Sequence, residues 1–424
     1  MNRHPVRLVL SDDLRRNRLT VFFRLLLAIP HLIWLTLWGI AAFFAAVANW
    51  FATLFGGTPP ASLHRFLSRF VRYATHVYAY LYLAAGPFPG FTGEPGYPVD
   101  VEIGPPARQN RWVTGFRLVL VVPALILVSV LVGSTPNLEG SDESLAYSGA
   151  GLAFVAAFLG WFYALARARM PRGLRDLIAY ALCYGAQTWA YLLMLTDRYP
   201  FSDPLSAVDR PPTVDHPLRL ESSDDLRRNR LTVFFRLLLA IPHLIWLTLW
   251  GIAAFFAAVA NWFATLFGGT PPASLNRFLS AYVRYQLHVG AYLYLVANPF
   301  PGFTGTEGSY PIDLSVAGRE RQNRWTVGFR LALAVPALLL VVAYGALAYT
   351  VAFLGWFAAL FTGRMPPGLR NAGALALRYT AQTYAYLLIA TDAYPYSGPC
   401  LAPPRDPEPL APAPAPLAPP APPR

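Results

Sequence analysis

Residues 15–35 read RRNRLTVFFRLLLAIPHLIWL, and the same letters return at 227–247. Weaker echoes stand at 108–127, RQNRWVTGFRLVLVVPALIL, and at 321–340, RQNRWTVGFRLALAVPALLL. Each is an arginine-rich collar running into an apolar stretch that carries one further arginine. Behind the first collar, Leu25 to Leu63 contains no Asp, Glu, Lys or Arg. Crossing the hydrocarbon core as a helix takes about 20 apolar residues, and this run is nearly twice that. It reads as two crossings rather than one.

The composition agrees. Of 424 residues, 55% are hydrophobic and only 13% charged, against about a quarter charged in soluble domains. The first 18 residues are charged throughout and the apolar run behind them is too long for a signal-peptide core, so the first crossing is expected to act as its own insertion signal. Cys183 and Cys400 are the only cysteines, which leaves no disulfide, metal site or redox pair to expect. All 34 basic residues are arginine, a pattern read as coding bias. The net charge of +12 suits an anionic membrane surface better than nucleic acid, because the arginines border apolar spans.

Repetition organises the rest. Ser11–Leu63 matches Ser223–Leu275 letter for letter at an offset of 212, the mark of a duplicated half. An older repeat lies within each half. Arg18, Arg111, Arg230 and Arg324 are each followed six residues later by Arg24, Arg117, Arg236 and Arg330, and six later again by Pro30, Pro123, Pro242 and Pro336. Each unit then carries a Trp-Phe pair at Trp50, Trp161, Trp262 and Trp356, a Pro/Gly break, and a Tyr-rich close such as YAYLYL or YAYLLIA. The units run 1–96, 97–210, 211–309 and 310–397, with a Pro/Ala-rich tail from 398 to 424 expected as an extended, disordered spacer.

The RxNR collar, RLLLAIPHLI, FLGWFAALFTGRMPPGLR and the closing YAYLLIATDAYP resemble the bacterial membrane proteins grouped as domain of unknown function 4389. The resemblance covers nearly everything except the tail. It implies an integral membrane protein and carries no activity, substrate or cofactor.

Each unit opens with a short alternating segment: HPVRLVL, YPVDVEI, HPLRLES or YPIDLSV, a pattern expected of a strand with proline at its start. Arg7 and Arg219 occupy the position held by Asp100 and Asp313 in the alternate units, so adjacent strands of one shared sheet would pair opposite charges. Four solvated linkers are the alternative.

The distance from Pro to Trp is 20 residues in units one, three and four but 38 in unit two, whose extra stretch is polar and acidic (Glu139, Asp142, Glu143). Such an insertion marks a turn, and the matching points near Gly39, Gly251 and Gly345 are expected to be hairpins. One helix from Leu19 to Phe55 would be about 55 Å long against a core of about 30 Å. Arginines bracket each hairpin, so both ends are placed in the cytoplasm and the insertion outside. Arg16, Arg108, Arg228 and Arg321 would then share a side. In the third segment, Arg65, Arg69, Arg72, His76 and Tyr80 share a helical face, which reads as an amphipathic helix with its basic side toward headgroups. The expected fold is an all-α polytopic membrane protein of four repeats, each a short strand, a transmembrane hairpin and an amphipathic helix. Eight spans are expected, with twelve as the competitor; the location is the inner membrane, with cytoplasmic termini.

Candidate sites are few. Arg24, Arg117, Arg236 and Arg330 lie seven positions after the collar residues Asn17, Asn110, Asn229 and Asn323 and so share a helix face with them. With Arg18, Arg111, Arg230, Arg324, Arg65, Arg69 and Arg72 they read either as snorkelling anchors, the preferred role for the four inner arginines, or as an anion or lipid-headgroup site. His31 and His243 follow the prolines and are expected to bond the carbonyl that proline leaves free. No Walker loop, dinucleotide fingerprint, HExxH or nucleophile elbow occurs, so no catalytic residue, metal or cofactor is expected and the chain is not read as an enzyme. A scaffold engaging anionic lipid or a protein partner through its arginines is the leading expectation. A solute or ion transporter, with Thr36, Asn49 and Thr53 on its path, is the alternative.

Overall fold

The computed structural model describes residues 4–133, 151–206, 216–316 and 321–400. The acidic insertion of unit two and nearly all of the Pro/Ala-rich tail lie outside these residues. Each unit opens with a five-residue strand: β1 (Val6–Leu10), β2 (Val99–Ile103), β3 (Leu218–Ser222) and β4 (Ile312–Val316). A five-residue helix follows the collar: α1 (Arg18–Phe22), α4 (Arg111–Gly115), α9 (Arg230–Phe234) and α12 (Arg324–Gly328).

The apolar run is then one helix, not a hairpin. α2 (Arg24–Gly56), α10 (Arg236–Gly268) and α13 (Arg330–Thr362) each hold 33 residues without a turn, and all three are long and apolar enough to cross a membrane. The hairpins expected at Gly39, Gly251 and Gly345 do not form. Around Gly39 the sequence is alanine-rich, IAAFFAAVA, and a single glycine costs a helix only about 1 kcal/mol. Unit two explains the misreading. Its equivalent is divided into α5 (Arg117–Leu120), α6 (Val122–Leu131) and α7 (Leu152–Arg167), and both α6 and α7 pack along α13. Gly133 and Gly151 lie against each other, so the insertion emerges from an interrupted helix and does not mark a turn shared by the family of units.

Each long helix ends on a left-handed residue: Gly57 (φ 78°), Gly269 (φ 77°), Gly363 (φ 72°) and, in unit two, Ala168 (φ 54°). A Cβ costs about 1 kcal/mol in this conformation. Ala168→Gly should therefore raise stability by about 1 kcal/mol, and Gly57→Ala should lower it by a similar amount, since a Cβ there meets nothing closer than Arg108 Nε at 4.0 Å. Thermal unfolding of the detergent-solubilised protein measures both.

A 21-residue helix follows in every unit: α3 (Ala61–Leu81), α8 (Arg172–Leu192), α11 (Ala273–Leu293) and α14 (Pro367–Leu387). The single basic face read from the sequence is divided between the inside and the outside of the protein. Almost every residue of α8 is buried, and in α3 Arg72, His76 and Tyr80 turn inward while Arg65 and Arg69 stay exposed. α3 packs between α2 and β2, and α8 between α7 and β1.

The strands form, but as two ribbons. β1 pairs antiparallel with β2, and β3 with β4. Register sets Arg7 opposite Glu102, with their charges 2.7 Å apart, and sets Asp100 opposite Val9. The expected Arg7–Asp100 pair therefore does not form, because antiparallel pairing moves the partner two positions along. In the second ribbon Arg219 faces Ser315. Side chains from the middle layer satisfy the ribbon edges: Gln187 Nε2 donates to Val6 O (3.1 Å) and Arg72 Nε to Val101 O (3.1 Å).

Three layers result: long helices, 21-residue helices, ribbons. Units one and two interlock head to tail. Arg16 N donates to Ala168 O at the end of α7, and Gln109 N donates to Gly57 O at the end of α2. Units three and four repeat this through Arg228 to Gly363 and Gln322 to Gly269. Units two and four meet at the centre, where Leu127, Leu131, Leu340, Tyr344 and Leu347 are fully buried or nearly so.

Candidate functional site at the arginine collars

The collar asparagines are helix caps. Asn17 Oδ1 accepts from Leu19 N at 2.9 Å, and Asn110, Asn229 and Asn323 do the same for Trp112, Leu231 and Trp325. The arginine after each cap reaches across to the partner unit's long helix. Arg18 donates to Ala166 O, Arg111 to Phe55 O, Arg230 to Phe361 O and Arg324 to Phe267 O, all at 2.9–3.0 Å. These carbonyls have no partner within their own helix end, and the guanidinium supplies one.

The inner arginines neither snorkel nor face headgroups. Arg24, Arg117, Arg236 and Arg330 are at most 2% exposed. Arg24 lies 4.2 Å over the Tyr80 ring and donates to Tyr80 O and Ala85 O, closing the C-terminus of α3. Arg117 on Tyr191, Arg236 on Tyr292 and Arg330 on Tyr386 repeat the contact at 4.3–4.4 Å. The physical reason is local. Burying a guanidinium needs acceptors for its fork of donors, and the end of a 21-residue helix offers carbonyls with a lone pair to spare, such as Tyr80 O, which also accepts from Leu83 N, beside an aromatic face. The tyrosine of each closing motif carries the arginine spacing into three dimensions.

One buried ion pair was not expected from the sequence. Asp12 holds Arg16 through both oxygens at 2.8 and 3.0 Å, and Arg16 also donates to Leu83 O and Ala84 O. Asp224 and Arg228 repeat the pair. Its signal was the DDLRR string, an Asp four residues before an Arg. Units two and four place Gln109 and Gln322 there, each bonded to its unit's inner arginine.

His76 and Asp100 meet at 2.9 Å, with Arg72 at 3.3 Å from the same carboxylate oxygen; His288, Asp313 and Arg284 repeat them. Burial works to raise the Asp100 carboxyl, but the His76 hydrogen bond and the N–H groups of Gly96 and Val101 outweigh it and hold it below the usual range. His31 does not bond the carbonyl freed by Pro30. Its Nδ1 lies 2.8 Å from the Tyr73 hydroxyl, and its ring packs against Phe88 and Phe91.

A cavity of about 580 Å³ opens between the first collar and the end of α7, lined by Arg15, Arg16, Asn17, Arg167, Ala168 and Arg169. Arg15 and Arg169 face each other across an antiparallel bridge. Arg15, Arg167 and Arg169 are exposed, and Asp12 is already engaged by Arg16. Like charges so placed repel unless an anion lies between them. The second half keeps the bridge as Arg227 and Arg364 but has Thr362 in place of Arg167. A second cavity, about 370 Å³, opens beside Val6, Gln109 and Arg198.

A family model described as Domain of unknown function (DUF4389) matches residues 18–92, 145–202, 230–304 and 324–397. The four tandem matches follow the four units, the second beginning only at residue 145, beyond that unit's collar. No curated protein and no solved structure matches the chain.

Proposed function

The chain belongs to this family, and from that premise we propose that it is a membrane-embedded, non-enzymatic scaffold whose exposed collar arginines engage anionic lipid headgroups. The observation that carries the reading is the arginine-lined cavity beside a continuous apolar surface. A phosphate fits a cluster of guanidinium forks, and each arginine near an anionic surface contributes about 1 kcal/mol. The site is centred on Arg15, Arg167 and Arg169, with the outward Arg65 and Arg69; the capping arginines, exposed but each tied by one N–H to a helix-end carbonyl, border it. On this reading the collars lie on the cytoplasmic side of a plasma membrane, the side that arginine bias favours.

A solute pathway between the repeats is less well supported. The two cavities described above are lined by collar, ribbon-edge and loop residues and by none of the mid-helix polar residues. Thr36 bonds to its own helix at Leu32 O, and Asn49 donates to Leu193 O.

The test compares the preference for phosphatidylglycerol over phosphatidylcholine, read by native mass spectrometry of lipid adducts. Replacing Arg15 and Arg169 by glutamine should reduce that preference by about 30-fold, from roughly 2 kcal/mol lost. An unchanged preference would remove the cavity from the proposal.

A further inference from the structure

Given that the protein is membrane-embedded, we infer that it does not cross the bilayer: its long helices lie in the plane of one leaflet, apolar face down, with the ribbons standing in water. This rests on the membrane reading above and specifies the surface that meets lipid.

The outer face of α2 is apolar from end to end. Leu25, Ile33, Leu37, Phe44, Phe51 and Phe55 are each more than half exposed, and the copies on α10 match them. A surface of that size needs a cover, and lipid is the cover whose chemistry fits its whole length. Two orientations would supply it.

Crossing meets three physical objections. A helix of 33 residues is about 50 Å long against a core of about 30 Å, so crossing would take a tilt of roughly 50°, beyond the usual range of about 0–40°, or leave about two apolar turns beyond the core at each end. Second, the head-to-tail pairing sets Arg16 at one end of α2 and Gln109 at the other. If α2 spanned the membrane, units one and two would be inverted copies, with arginine collars on both sides and no charge bias. Third, the ribbon lies midway. β1 and β2 pair centrally at Leu8 and Val101, and eight residues lead from each to Arg16 and to Gln109 respectively. The axis relating the two units passes through that centre, and in an inverted arrangement it lies at mid-membrane. There the ribbon would hold the Arg7–Glu102 pair, whose side chains are 42% and 56% exposed, in hydrocarbon. A charged, open two-stranded ribbon has no place there.

Turning the axis along the membrane normal removes all three objections. Helix length no longer matters, because a layer of helices lying about 5–10 Å into one leaflet is covered from behind by the rest of the protein rather than by a polar face of its own. Both collars reach the same headgroup plane, and the ribbon with Arg7, Glu102 and Arg219 points into water. The exposed Trp112 and Trp325 at the collars then sit at the interface, where indoles concentrate.

The test uses the full chain in a Cys183→Ala, Cys400→Ser background with single cysteines replacing Arg15, Arg108 or Glu102. An impermeant thiol reagent on intact cells, then on inverted vesicles, should label all three from one side only. In phosphatidylcholine–phosphatidylglycerol vesicles, fluorophores at Ile33, Phe44 and Phe55 should be quenched by brominated lipids at one common shallow depth. Labelling of positions 15 and 108 from opposite sides, with 102 protected and Phe44 deepest, would overturn the in-plane orientation and leave the membrane reading intact. Absence of quenching at every position, whether in a soluble chain or in one whose apolar faces pair with a second copy, would overturn both.

Discussion

Arg24→Met should destabilise the protein by about 3 kcal/mol, while the exposed Arg65→Met should change stability by less than about 0.5 kcal/mol. Arg24 is 2% exposed and donates to Tyr80 O and Ala85 O, with a longer contact to Gly86 O at 3.3 Å. Methionine fills much of the volume but takes from Ala85 O its arginine donor, at about 1–3 kcal/mol, and takes one of two donors from Tyr80 O, which keeps the Leu83 N–H. It also removes the contact with the Tyr80 ring, 4.2 Å away. Removing a buried charge that has no close carboxylate returns part of this, which is why the net is smaller than the sum. Arg24→Lys should recover little, because an ammonium cannot reproduce the planar fork. Unfolding in detergent by heat or denaturant gives the comparison. Equal effects of Arg24→Met and Arg65→Met would mean that the carbonyl contacts contribute nothing.

Asp12→Ala should cost about 3–5 kcal/mol, because it strands the Arg16 guanidinium in the interior. The pair is nearly inaccessible, with side chains 2% and 0% exposed, and Asp12 also accepts from Leu14 N. Adding Arg16→Met to Asp12→Ala should cost less than the two single changes summed, with a coupling of about 2 kcal/mol. Asp224 and Arg228 offer the same cycle in the second half. Strict additivity in both halves would sink the idea that these are interdependent buried pairs. An exposed pair such as Arg7–Glu102 is the control, expected to contribute under about 1 kcal/mol.

Much of this molecule is written in short-range pattern. Four units, their opening strands, the Asn-x-x collar and the break before each 21-residue helix all depend on neighbours within a few residues. Asn17 caps α1 two residues on, and Gly57 stops α2 by its own backbone freedom. Those features were legible, as was the apolar surface. The arginine spacing was legible too, but its meaning was not. The acceptors of Arg24 lie 56 and 61 residues away, and that of Arg18 lies 148 away on another unit. A six-residue spacing says that two arginines share a helical start; only packing decides that one closes the partner's helix and the other its own. Tertiary structure likewise decided that Arg7 faces Glu102 and that Asp100 faces His76, since antiparallel register is set by the whole ribbon. It also decided that the apolar run is one helix. Hydropathy measures how much lipid a segment can meet, whereas its direction depends on what packs behind it, and behind α2 lie α3 and a charged ribbon.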